Sequence, residues 1–256
     1  MQRSLADAPY TDVKRSLDSG LPVIAILPVG ATEAHGPHLP LGTDVIISEA
    51  FAHAAAEKLC GEGRVIAWVL PVLAYSPAEY AANFPGTVGV SPLTMGHMLD
   101  DIGQSLHAQG FRCLALANSH FDPANLEVLR ACAKRITLTG LAVAFPDATR
   151  REISVRLTDE FRTGDCHAGC YESSIVLAHR PNLVDQRMLR AAPPVQAGLL
   201  NAVRSGEAIT FEKIGMTMAY CGRPAEASLD EGLRSVQILA DALRDAVYSV
   251  LFSTGS

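Results

Sequence analysis

The chain has 256 residues, 48% hydrophobic and 19% charged, which supports a sizeable buried core and excludes a disordered polymer. A formal net charge of -6 leaves no basic footprint for nucleic acid, and no apolar run nears the roughly 20 residues that span a bilayer. Six cysteines without a CxxC pair, and an amino terminus without an apolar h-region, lead us to expect a reduced, cytoplasmic protein with no membrane partner.

In chain order, residues 21–29, "LPVIAILPV", read as a buried strand, and 45–59, "VIISEAFAHAAAEKL", carry helical apolar spacing. Residues 64–75 are strand-like, with Pro71 marking an end or a bulge. The segment 91–110 begins on Ser91 as N-cap with Pro92 at the first helical position, and stops at a glycine. "FRCLALANSH" (111–120) is the next buried strand, 123–140 is a helix with Asp122 as N-cap, and "LAVAFP" (141–146) is another strand. Residues 151–200 are helical but irregular, and a closing helix covers roughly 224–252 with Pro224 near its start. Strands alternating with helices predict a single α/β domain over 1–256, a largely parallel sheet with helices on both faces.

Chemistry collects at three places. "ILPVGATEAHGPHLPLGTD" delivers Glu33, His35, His38 and Asp44 just past the first strand, in a loop whose φ angles are restricted by Pro28, Pro37 and Pro40. In an extended segment Glu33 and His35, two apart, point to the same side. Asp44 by itself has a plain alternative as the N-cap of the following helix. "ALANSHFDP" places His120 at the C-terminal end of a strand, where parallel sheets put their ligand crevice, although His120 and Asp122 also fit a satisfied strand end and a cap. "TGDCHAGCYESS" supplies Asp165, His167 and Glu172; Glu172 sits near a helix start and His167 also fits a surface loop. Carboxylates with imidazoles suit zinc, manganese or iron, and five or six ligands exceed the four of one structural zinc, so two divalent metals sharing a bridging carboxylate are expected. His38 is a spare, either behind the ligands or exposed, and His53, His97, His107 and His179 fall on helices as structural residues.

At these residues the chain resembles the creatininase (creatinine amidohydrolase) family. "LPVGATEAHGPHLPLGTD" is similar to the family's metal-binding entry loop, "NFPGTVGVSP" to its Pro-Gly-Thr segment, and "GFRCLALANSHFDPANLEVL" to its strand, Asn-x-His and helix block. "DCHAGCYESS" and "YCGRPAEASLDEG" resemble its later blocks, so the likeness spans roughly 20–235. The resemblance implies a dinuclear metal-dependent amidohydrolase acting on a small-molecule substrate, assembled as a homo-oligomer, a hexamer built from dimers. It implies Glu33, His35, Asp44, His120 and Glu172 as metal ligands, Asp44 bridging, and His167 as the histidine that handles protons at the scissile amide. Asp122 stands where creatininase has a glutamate and contacts metal directly or through water; Asp165 orients His167 or caps the next turn. Phe121 and Pro123 replace a glycine pair seen in many members, so Phe121 and Asp122 are expected at the substrate wall. Creatininase also carries a tryptophan before the catalytic histidine, where this chain has "FRTGDCH". We therefore expect hydrolysis of a C–N bond in a small cyclic amide, lactam or formamide rather than creatinine. The alternatives are a hydrolase of a cyclic keto-sugar or lactone, and a non-catalytic metal-binding scaffold.

Overall fold

The computed structural model describes residues 4–205 and 210–252. Four strands, β1 (Val23–Val29), β2 (Ile66–Val69), β3 (Cys113–Asn118) and β4 (Ala142–Ala144), form one sheet in the order β2-β1-β3-β4, with every pairing parallel. All seven residues of β1 and all six of β3 are buried, which is why both read as continuous apolar runs instead of alternating ones.

Side chains leave a strand on alternate faces. Ile24, Ile26, Ala115 and Ala117 pack on one side with Phe51 of α2 (Thr43–Gly61), Ile175 of α7 (Cys170–His179) and Leu239 and Leu243 of α10 (Leu229–Phe252). Val23, Ala25, Leu27, Leu114 and Leu116 face the other side, against Met95 and Leu99 of α3 (Pro92–Ala108) and Leu129 and Ile136 of α4 (Pro123–Leu138). Val13 of the opening helix α1 (Tyr10–Leu17) packs on that second side too. Each buried aliphatic side chain of this sandwich contributes about 1.5–3 kcal/mol. The irregular stretch between β4 and α10 resolves into short helices: α5 (Arg151–Ser154), α6 (Asp159–Thr163), α8 (Gln186–Ala191) and α9 (Leu199–Ser205), with α7 between them. Among the described residues, no helix is long and apolar enough to cross a membrane.

Caps behave as the sequence suggests at two helices: Ser91 Oγ accepts from the Thr94 N–H, and Asp122 accepts from the Ala124 N–H. Two elements differ from the sequence reading. The second strand stops at Val69, because Pro71 has no N–H for the ladder, and the chain returns only at Leu73, which bridges to Val29. The closing helix starts at Leu229, not near 224: Pro224 opens a single 3-10 turn, Pro224–Glu226, and Ala227 is extended.

The chain leaves β1 for β2 on one side and then crosses to β3 on the other, so the strand order reverses between β1 and β3. Their C-terminal ends lie together, Val29 opposite Asn118, with the Ser119 N–H donating to Val29 O at 3.1 Å. This switch point is where open parallel sheets bind ligands.

Candidate metal centre

Four segments converge on the switch point. The loop after β1 brings Glu33 and His35, the start of α2 brings Asp44, the exit of β3 brings His120, and the first turn of α7 brings Glu172. Gly30 makes the approach of α2 feasible, since a Cβ there would lie 2.7 Å from Val45 N and 2.8 Å from the Asp44 carbonyl carbon. Asp44 is not the cap of α2. Gly42 holds that position, and Asp44 is the second helical residue with its carboxylate turned inward.

The two oxygens of Asp44 divide their contacts: Oδ1 lies 3.4 Å from His35 Nε2 and Oδ2 lies 3.0 Å from His120 Nδ1. Glu33 Oε1 is 3.2 Å from His120 Nδ1 and 3.9 Å from His35 Nε2, so these two residues do share a side as their spacing predicts. Glu172 Oε2 completes the other end, 3.5 Å from His35 Nε2. Two triads therefore share Asp44: Glu33, Asp44 and His120, and His35, Asp44 and Glu172. A third, Glu33, His35 and His167, overlaps both. Nitrogen and oxygen ligands at about 2.1 Å from a four-coordinate ion lie about 3.4 Å apart, the range of these separations.

Each imidazole is fixed from behind by a backbone carbonyl. His35 Nδ1 donates to Glu33 O at 3.1 Å, His120 Nε2 to Pro77 O at 2.7 Å, and His167 Nε2 to Ala34 O at 2.9 Å. A carbonyl only accepts, so the bonded nitrogen carries the hydrogen and the opposite nitrogen turns a lone pair to the centre, as in metal-ligating histidines. His35 Nε2 and Asp44 Oδ2 are buried without a hydrogen bond of their own. This donor set fits a pair of divalent cations.

The electrostatics point the same way. Burial and the neighbouring Asp44 and Glu33 charges push Glu172 up to about 8, against the attraction of His35. Burial alone would lower His35, but Asp44, Glu172 and Glu33 outweigh it and raise the ring to about 10. Cations relieve the same crowding of three carboxylates while leaving the imidazoles neutral, the form that ligates. His167 goes the opposite way: burial and the His35 charge lower it to about 4.

His167 stacks between His35 and Phe211, with ring centroids 4.4 Å away on each side, and its Nδ1 is 4.0 Å from Glu33 Oε1. Asp165 does not orient it. The Asp165 carboxylate accepts from the Leu199 N–H at 3.0 Å and the Gly198 N–H at 3.4 Å, capping α9. Asp122 is likewise committed to backbone, Oδ1 to the Ala124 N–H at 2.9 Å and Oδ2 to the Glu79 N–H at 3.0 Å, so its contacts are those of a cap and loop tether. Phe121 stands edge-on to Phe161 at 5.4 Å, which in turn meets Tyr171 at 4.8 Å, a file of rings leading back to α7. The spare histidine, His38, is buried and bonds the Ala168 carbonyl. Phe211 and the three carbonyl tethers were not singled out in the sequence, and no residue-type signal marks a backbone acceptor.

The creatininase family model, described as creatinine amidohydrolase, matches residues 7–247. The mycofactocin precursor peptide peptidase of Mycobacterium ulcerans is 31% identical over 244 residues, covering 93% of this chain and 88% of that protein. Creatinine amidohydrolase of Pseudomonas putida is 27% identical over 187 residues, covering 67% and 70%. A crystal structure of creatinine amidohydrolase superposes with a TM-score of 0.75 over 99% of both chains at 21% identity. Two further creatininase structures, one described as Mn and one, a mutant, as Zn-Zn type, superpose at 0.73 and 0.70, each at 21% identity over at least 96% of both chains. With a family match over nearly its full length on the fold and side-chain geometry above, this chain belongs to the creatininase family.

Proposed function

We propose that the protein is a metal-dependent hydrolase of an amide C–N bond. The observation that carries this reading is the division of the Asp44 oxygens between His35 and His120, with Glu33 and Glu172 closing the two ends. Glu33, Asp44 and His120 would hold one divalent ion, and His35, Asp44 and Glu172 a second, with zinc, manganese and iron all compatible with the donors. When bound, such a pair supplies Lewis acidity and a water acidified to near neutral pH.

His167 supplies the proton transfer. Its Nε2–H is spent on Ala34 O, and its lowered basicity keeps Nδ1 free at neutral pH. Nδ1 takes a proton as water adds to the amide carbon and returns it to the leaving nitrogen as the C–N bond breaks. Phe211, stacked on the ring, limits its rotation and excludes solvent from that side.

The substrate class we place first is a short peptide, because a relative named as a peptidase of a precursor peptide covers 93% of this chain. A small cyclic amide, lactam or formamide is the second reading. It is favoured by depth: none of the six converging residues is more than 8% exposed, so a compact substrate fits more readily than an internal stretch of chain. Assembly as a homo-oligomer is part of the proposal, and sedimentation as a single chain would remove it. The deciding experiment incubates the metal-loaded enzyme with short peptides, lactams, formamides and lactones, reading mass gain of one water. Turnover of any amide supports C–N hydrolysis and selects its class. Consumption of lactones alone overturns it in favour of ester chemistry, and two bound metals without any turnover favours a binding scaffold.

A further inference from the structure

We propose that His38 is a positioning residue for the Glu172 end of the centre, acting through the backbone of Ala168. The inference rests on the metal-centre reading and assigns a role to a histidine that touches none of the ligand triads.

The path is short. His38 Nε2 donates to Ala168 O at 2.9 Å across 130 positions of sequence, and Ser173 Oγ sits 3.2 Å from the same nitrogen. Ala168 has φ 49, the left-handed region that non-glycine residues rarely enter, and it is fully buried. Its own N–H donates to Glu172 Oε2 at 2.7 Å, and that oxygen is the one 3.5 Å from His35 Nε2. Peptide planes on both sides of a strained residue are thus tied, one to His38 and one to Glu172. Releasing the His38 bond lets Ala168 relax toward negative φ, which swings its N–H away from Glu172 and frees the carboxylate to rotate.

His38 is itself held tightly. The Gly36 backbone passes so close that a Cβ there would lie 2.7 Å from Cε1 and 2.8 Å from Nδ1, and Tyr220 meets the ring edge-on at 5.7 Å. The main chain of His38 is anchored as well, accepting from the Asp185 N–H at 3.0 Å. A latch with fixed mounting can hold a strained residue. A merely exposed histidine cannot.

Two consequences separate this role from general support of the fold. The effect is confined to the His35, Asp44 and Glu172 triad, since Glu33, Asp44 and His120 have no contact with Ala168 among their hydrogen bonds here. It also depends on a donor at position 38 and on the strain at 168. Metal-free protein is titrated with cobalt(II), following its visible absorption, for wild type, His38→Phe, which keeps ring volume without a donor, and His38→Gln, which keeps a donor. The expected result is two ions per wild-type chain. In His38→Phe the first affinity is unchanged and the second is about 10-fold or more weaker, the usual scale for a lost outer partner. His38→Gln recovers most of it, and adding Ala168→Gly to His38→Phe also restores binding, because glycine adopts positive φ without a latch. Equal weakening of both sites, identical behaviour of the Phe and Gln variants, or wild-type affinities in His38→Phe each overturn the role of His38. A wild-type chain that takes up no cobalt overturns the metal-centre reading itself, and this inference with it.

Discussion

The two halves of the centre share Asp44 but are built differently. The His120 half stands on strand exits: His120 follows β3 directly, and its carbonyl accepts from Asn118 Nδ2 at 2.8 Å and Asn125 Nδ2 at 2.7 Å. The His35 half depends on Glu172, which is reached only through α7 and the left-handed Ala168 before it. One half inherits its geometry from hydrogen-bonded sheet, the other from a strained turn held by distant side chains. The same three ligand types are therefore mounted differently, and the half that spans the longer stretch of sequence, from His35 to Glu172, is the costlier one to close.

The strongest way to break the comparison is to remove what the halves share. Asp44→Ala is expected to abolish both sites, with turnover falling by more than about 100-fold, since even outer partners of ligands cost 10- to 100-fold. Glu172→Ala should reach a similar loss of turnover yet retain about one ion per chain and the wild-type circular dichroism spectrum. Two ions in Glu172→Ala would show that the halves are not separable.

Chelation tests the pair together. Stripping a pair of ions, each present at about a thousandfold its dissociation constant, removes about 4 kcal/mol per ion, or about 8 kcal/mol together. For a chain of this size that lowers Tm by roughly 20 °C, read by calorimetry before and after readdition of zinc or manganese. An unchanged Tm would mean that the three buried carboxylates are already compensated.

The smallest expected effect lies outside the centre and serves as its control. Asp147, buried after β4, accepts from Arg130 Nη2 at 2.6 Å and Thr149 Oγ1 at 2.5 Å. Burial opposes its ionisation, but those bonds hold its carboxyl below the usual range. A lowered folded-state pKa stabilises above the unfolded value near 3.9 and is lost as pH falls through the folded one. Asp147→Asn should thus cost about 2 kcal/mol at pH 7 in urea unfolding, shrinking below pH 4, with metal content untouched. A loss of metal in this variant would tie the β4 end to the centre.

The sheet was legible because β1 and β3 are apolar on both faces, and three prolines and glycines around Glu33 to Asp44 announced an unusual loop. Position at element ends made Glu33, His35, Asp44, His120 and Glu172 candidates alongside other acids and histidines, the resemblance to the creatininase family set these five apart as ligands, and the fold brings them together. The partners of Asp165 and Asp122 were not legible: the first reaches backbone at 198 and 199, the second at 79 and 124. Both aspartates look as acidic as a ligand in sequence. What separates them is whether backbone N–H groups have already claimed the oxygens, and that depends on tertiary placement. His38 was ambiguous for the same reason, since its acceptor is a carbonyl 130 residues away.

The carbonyl tethers carry one further consequence. His35 is locked as the Nδ1–H tautomer, whereas His120 and His167 are locked as Nε2–H. Free neutral imidazole exchanges between these forms, but here the polypeptide has chosen for each ring which lone pair meets an incoming ion. Without an ion the raised His35 ring also carries a proton on Nε2, so uptake displaces that proton to solvent but requires no ring flip, because the other nitrogen of each ring stays on its carbonyl. In the ion-loaded protein the ring-nitrogen NMR shifts of these three histidines would carry that choice as a mixed signature, one ring of the first kind beside two of the second.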